Sequence, residues 1–186
     1  MQTIDHRMLG ISLVKRLEEQ QRVPLGCRLM FIWGSIEPDL NYLTFLKGFL
    51  RCGSLKVHSF VNSSRRIKIL LERIDGRYPK ALKYYRAGKV IHYLADAFTF
   101  PHNEACTGNI RQHMKYEHML HGRFTAALAR WEGRRRRKMG KKELLDAFDS
   151  AHERYIRRRR AEMDDIRYIL ALANRVFFNI IPDCGS

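Results

Sequence analysis

The sequence predicts an all-α fold, a multi-helix bundle of roughly seven helices forming one domain over residues 1–186. Three observations lead there. Apolar residues recur every three to four positions in most segments, the segments are separated by Gly or Pro, and no stretch alternates β-branched with polar residues as a half-buried strand would. The length is enough to bury a core, no internal repeat or low-complexity linker divides it, and a 45% hydrophobic content fits a folded globular chain.

Taken in order, residues 4–20 read as a helix whose inward stripe is His6, Leu9, Leu13 and Leu17. Pro24 and Gly26 lie in a connection, Arg28 to Ile36 is a short apolar segment, and Pro38 marks a turn at its end. Asp39 then opens a segment from Leu40 to Phe49, where a plain N-cap would also account for it. Cys52-Gly53-Ser54 is a second break, and His58 precedes a helix marked by Ile67, Leu70, Leu71 and Ile74. Gly76 ends that helix and Pro79 opens the next, which runs toward Pro101. A long helix from Thr107 to Trp131 follows, with Thr107 as its N-cap. The last two run from about Lys141 to Arg158 and from about Ala161 to Ile181.

The helix before Pro101 carries the most informative stretch, His92-Tyr93-Leu94-Ala95-Asp96-Ala97-Phe98-Thr99-Phe100-Pro101-His102. His92 and Asp96 are four apart and share a helix face with Leu82 and Tyr85, so both point inward. A buried His and Asp facing one way must pair or coordinate something, because an isolated buried carboxylate is costly. Pro101 turns the chain and brings His102 back toward the pair. Eleven residues later His113 and Glu117 repeat the four-residue spacing on a stripe continued by Leu120, Phe124, Leu128 and Trp131. This is a metal-ligand layout. His118 and His121 lie on the same helix and read as supporting or surface groups, although His121 stands four residues from Glu117.

The pattern H-x3-D-x5-H followed by H-x3-E resembles the zinc-dependent phospholipase C family, which shares its fold with the P1/S1-type nucleases. Phe31-Ile32-Trp33-Gly34-Ser35-Ile36-Glu37-Pro38-Asp39 is similar to that family's G-S-x-x-P-D segment, and His6 and His58 fall in the order of its remaining histidines. The resemblance implies a cluster of two or three zinc ions. One would be held by Asp39, His58 and His92, with Asp96 bridging to a second that also uses His6. Another would be held by His102, His113 and Glu117. Secreted members use their mature N-terminal residue as a zinc ligand, usually a Trp shortly before the first His, whereas this chain begins Met1-Gln2-Thr3-Ile4-Asp5-His6. The nuclease branch usually carries an Asp where Glu117 stands, which favours the phospholipase branch.

The resemblance thus implies a zinc-dependent phosphodiester hydrolase acting on a glycerophospholipid, with a P1/S1-type nuclease or a non-catalytic metal- or lipid-binding module as rivals. Imidazole and carboxylate ligands suit zinc and leave room for water, which the metal would acidify for attack on phosphorus. Asp39 is also the candidate general base.

Composition adds an expectation about partners. The formal net charge is +16, and half of it falls between Gly133 and Arg160, in the blocks Arg134–Lys138 and Arg157–Arg160. Such blocks suit an anionic membrane surface or, less well, a nucleic acid, while the bland alternative is a solvated basic face. No protein partner is implied. The first twenty residues carry charges throughout and no run approaches a membrane span, which predicts a cytoplasmic protein, peripheral at the membrane if the basic blocks bind lipid. Cys27, Cys52, Cys106 and Cys184 are widely spaced and read as thiols in such a compartment.

Overall fold

The computed structural model describes residues 1–40, 60–74, 76–103, 110–133, 138–159 and 161–181. Among these residues the chain forms α1 (Thr3–Glu18), α2 (Leu25–Leu40), α3 (Phe60–Ile74), α4 (Lys80–Ala97), a short 3-10 turn (Phe100–His102), α5 (Ile110–Ala129), α6 (Lys141–Arg158) and α7 (Glu162–Ile180). No strand occurs among them, so the all-α expectation holds. No helix among the described residues is long and apolar enough to cross a membrane.

The core is built around α4. From Val90 to Thr99 every side chain of this segment is buried, because α1, α2, α3 and α7 pack around it. The predicted stripes point inward elsewhere too: Leu9, Leu13 and Leu17 on α1, Ile67 and Leu71 on α3, and Phe148 and Tyr155 on α6 are all buried.

The closest approach is between α2 and α4, and two glycines make it. A methyl group built on Gly34 would strike the carbonyl oxygen of Tyr85, and one on Gly88 would strike the carbonyl of Phe31. Each glycine therefore lets the facing backbone in, and the two helices approach more closely than side chains would allow.

The second helix differs from its expected outline. Rather than a short segment turning at Pro38, α2 continues through Pro38 to Leu40. Pro38 lacks the N–H that the Gly34 carbonyl would accept, and the packing of α2 on α4 offsets that single lost bond. Asp39 accordingly lies within α2, one residue beyond Pro38, instead of capping a new helix. The expected segment from Leu40 to Phe49 lies beyond Leu40 outside the described residues, as do the break at Cys52-Gly53-Ser54, the proposed cap Thr107, and the residues Cys52, Cys106 and Cys184. Cys27 is buried.

The turn after α4 follows the sequence reading. Asn103 donates its side-chain amide to the carbonyls of Ala97 (3.2 Å) and Thr99 (3.1 Å), closing the end of α4 and folding the Phe100–His102 turn back on it.

Candidate metal centre

The site forms where residues of α1, α2 and α4 meet the 3-10 turn and α5. On α4, His92 and Asp96 are 0% and 1% exposed, and their side chains face each other with His92 Nε2 3.2 Å from Asp96 Oδ2. His6 of α1 stacks on His92 with ring centroids 4.0 Å apart, and its Nε2 lies 3.1 Å from Asp96 Oδ1. Asp39, at the end of α2, reaches the same place with Oδ1 3.6 Å from His92 Nε2, while its Oδ2 accepts a hydrogen bond from Thr3 Oγ1 at 2.9 Å.

A second group adjoins the first. Glu117 Oε1 lies 3.2 Å from both His102 Nε2 and His113 Nε2, and His102 Nδ1 is 3.9 Å from Asp96 Oδ2. Donor atoms of His6, Asp39, His92 and Asp96 all lie within 4.8 Å of one another, and so do those of His102, His113 and Glu117. His113 is more exposed than its helical stripe predicts, at 38%, so the second group opens toward solvent whereas the first is mostly enclosed. His58 lies outside the described residues.

Between the two groups sits the Met1 amine, which is not among the ligands expected for this chain. The Met1 amine is 3.3 Å from Asp96 Oδ1, 3.2 Å from His102 Nε2 and 2.8 Å from Glu117 Oε1. The Met1 side chain is buried as well, so the terminus is packed into the site.

The electrostatics follow from crowding like and unlike charges in a dry place. Burial works against the charge of Asp96, yet the Met1 ammonium and the imidazoles of His102, His92 and His6 hold its carboxyl well below the usual range. Glu117 is likewise lowered, against the pull of burial, by hydrogen bonds from His102 and His113 and by the Met1 ammonium. The stacked histidines part company: burial and the neighbouring His92 push His6 down, while Asp96 and Asp39 overcome burial to push His92 up. Burial also pulls on the Met1 amine, but the carboxylates of Asp96 and Glu117 raise it. Three carboxylates gathered on one spot ask for cations.

The residues fit zinc. The donor set is imidazole nitrogen and carboxylate oxygen without thiolate, which suits zinc and leaves room for water. The outer partners fit too, since His92 Nδ1 donates to the Ser35 carbonyl at 3.0 Å, which leaves Nε2 as the nitrogen turned toward the carboxylates. Ser35 is held in turn by its own hydroxyl, which donates to the Phe31 carbonyl at 3.0 Å. Among the described residues His6 Nδ1 has no hydrogen-bond partner, so Nε2 is the end of that ring with polar company there.

Three supporting groups escaped the sequence reading. Asp5, fully buried beside His6, accepts a hydrogen bond from His121 Nδ1, which draws His121 toward α1 rather than toward Glu117. His152 donates Nε2–H to Asn103 Oδ1 at 2.7 Å and stacks on Phe60. Asp165 accepts four hydrogen bonds, one of them from Arg159 at 2.9 Å. Arg159 therefore departs from the reading of residues 157–160 as a uniformly outward basic block, while Arg157 and Arg158 are exposed. Residues 134–137 and Arg160 lie outside the described residues. A charged residue inside a helix's apolar stripe was the available signal for Asp5, and only the fold supplies its partner.

No curated protein and no solved structure matches the chain. The sequence profile described as zinc-dependent phospholipase C matches residues 6–162, which takes in both donor groups apart from Met1. With most of its length matched and a zinc-compatible site in place, the chain belongs to the zinc-dependent phospholipase C family.

Proposed function

We propose that this protein is a phosphodiester hydrolase of the phospholipase C type, cleaving a glycerophospholipid on the glycerol side to release diacylglycerol and a phosphorylated head group. The observation that supports it best is the adjacency of the two donor groups through Asp96, the Met1 amine and His102. That arrangement suits two or three zinc ions set close enough to act on one phosphate.

In this reading Asp39 and His92, with His58 from outside the described residues, would hold one ion, His6, Asp96 and the Met1 amine would hold a second, and His102, His113 and Glu117 would hold a third. Zinc, when bound, supplies Lewis acidity to the phosphoryl oxygens and acidifies water. The chain's own contribution is orientation and proton handling. Ser35 fixes the His92 tautomer, Asp96 anchors His6 and His92 from one carboxylate, and Asp39 is the proton acceptor for the attacking water. Asp39 suits that role because its side chain is 20% exposed, whereas those of His6, His92 and Asp96 are essentially sealed.

The test is zinc per chain by elemental analysis, with turnover of a soluble phosphodiester, of short-chain phosphatidylcholine and of single-stranded nucleic acid. Two or more ions with lipid turnover are expected. One ion or none, with no turnover after zinc is restored, would overturn the proposal, and preferred cleavage of nucleic acid would replace it with the nuclease reading.

A further inference from the structure

Asp165 lies in the first turn of α7, beyond the span matched by the family profile, and it is fully buried. Its carboxylate collects donors from three separate parts of the chain. Oδ2 accepts the main-chain N–H of Phe100 at 3.0 Å and the hydroxyl of Tyr116 at 2.5 Å. Oδ1 accepts the hydroxyl of Tyr155 at 3.0 Å and Nε–H of Arg159 at 2.9 Å. Arg159 closes the cluster by donating to the Tyr116 hydroxyl at 2.6 Å and by covering the Phe100 ring, its guanidinium 4.0 Å from the ring centroid.

Two of these donors stand beside metal-site residues. Phe100 begins the turn that carries His102, and Tyr116 immediately precedes Glu117. Those residues come from different elements, the 3-10 turn and α5, yet His102 Nε2 and Glu117 Oε1 stand 3.2 Å apart. One carboxylate oxygen takes a hydrogen bond from each element, and the guanidinium bears on both.

We infer that Asp165 is a positioning residue for the site of His102, His113 and Glu117: it locks the His102 turn in register with α5, so that the ligands of the two elements meet already spaced for a metal. This rests on the zinc-site reading above and adds to it a residue outside the ligand set. A buried carboxylate that takes two donors on each oxygen is a rigid junction, since its position is set by several bonds at once.

The test uses the full chain with its zinc. Zinc affinity is measured by competition with chelators, alongside the absorption spectrum of the cobalt-substituted protein, in wild type and in Asp165→Asn. The variant is expected to bind one ion up to about 10-fold more weakly, the low end of the range for losing a direct partner of a metal ligand, with a changed cobalt spectrum. Asp165→Glu should recover part of the affinity by keeping the charge.

Ile169→Ala on the same helix controls for destabilisation alone and should leave zinc affinity unchanged. Should Asp165→Asn fail to fold, Tyr116→Phe removes one donor without altering charge, and a smaller loss in the same direction is expected. Wild-type zinc affinity in a folded Asp165→Asn or in Tyr116→Phe, or an equal loss in Ile169→Ala, would overturn the positioning role while leaving the zinc site standing. Wild type without zinc at this site would overturn both.

Discussion

The Nδ1 nitrogen of His92 donates to the main-chain carbonyl of Ser35 across 3.0 Å, joining two helices whose residues are 57 positions apart in sequence. This bond depends on backbone proximity, and the proximity depends on Gly34 and Gly88. Gly34→Ala or Gly88→Ala should separate α2 from α4, weaken the His92–Ser35 bond and move Asp39 away from His92. The expected cost is about 1–3 kcal/mol, as for overpacking a tight contact, read by urea denaturation, together with weaker zinc binding. Wild-type stability and zinc content in both variants would show that the helices can yield there without consequence.

His6, His92, His102 and the Met1 amine all surround the Asp96 carboxylate. Asp96→Asn keeps the shape and removes the charge. Zinc content is expected to fall by about one ion per chain or more, and phosphodiester turnover to fall with it. Elemental analysis beside a turnover assay decides this, and full zinc with full activity in the variant would end the bridging assignment.

Because the Met1 amine lies against Asp96, His102 and Glu117, a residue placed ahead of Met1 would convert that amine to an amide and push chain into a packed site. An extension of two residues at the N-terminus should lower zinc content and turnover, while removal of the extension by a specific protease restores both. The same extension carried with no loss would remove the amine from the proposed ligand set.

His152 offers a pH dependence away from the metal donors. Burial pushes its imidazole down to about 4, and it sits neutral, donating to Asn103 and stacked on Phe60. In the unfolded chain the ring takes up a proton near 6.5, whereas the folded ring resists until about 4, so the unfolded state binds the extra proton in between. Stability from this group is therefore complete above about pH 6.5 and is lost as pH falls toward 4. Urea unfolding at pH 7 and pH 5 should show a shallower loss in His152→Gln than in wild type, and equal losses would place the acid sensitivity elsewhere.

The sequence and the fold divide this protein between them in an understandable way. The four-residue spacings of His92 with Asp96 and of His113 with Glu117 are local, so helical geometry alone puts each pair on one face, and the all-α class follows from the same periodicity. Pro101 likewise announces its turn. The course of α2 through Pro38 was not legible, because a proline's local cost is outweighed by packing against a helix that lies far along the chain.

What the sequence by itself determined is a set of candidate donors and the helical segments that carry most of them, since both are matters of residue type and short spacing. Tertiary structure decided which donors meet, that the Met1 amine joins them, that Ser35 orients His92, and that Asp165 ties the His102 turn to α5. These are contacts between segments distant in the chain, formed by the collapse of apolar faces that have no direct part in the chemistry, and no local pattern records them.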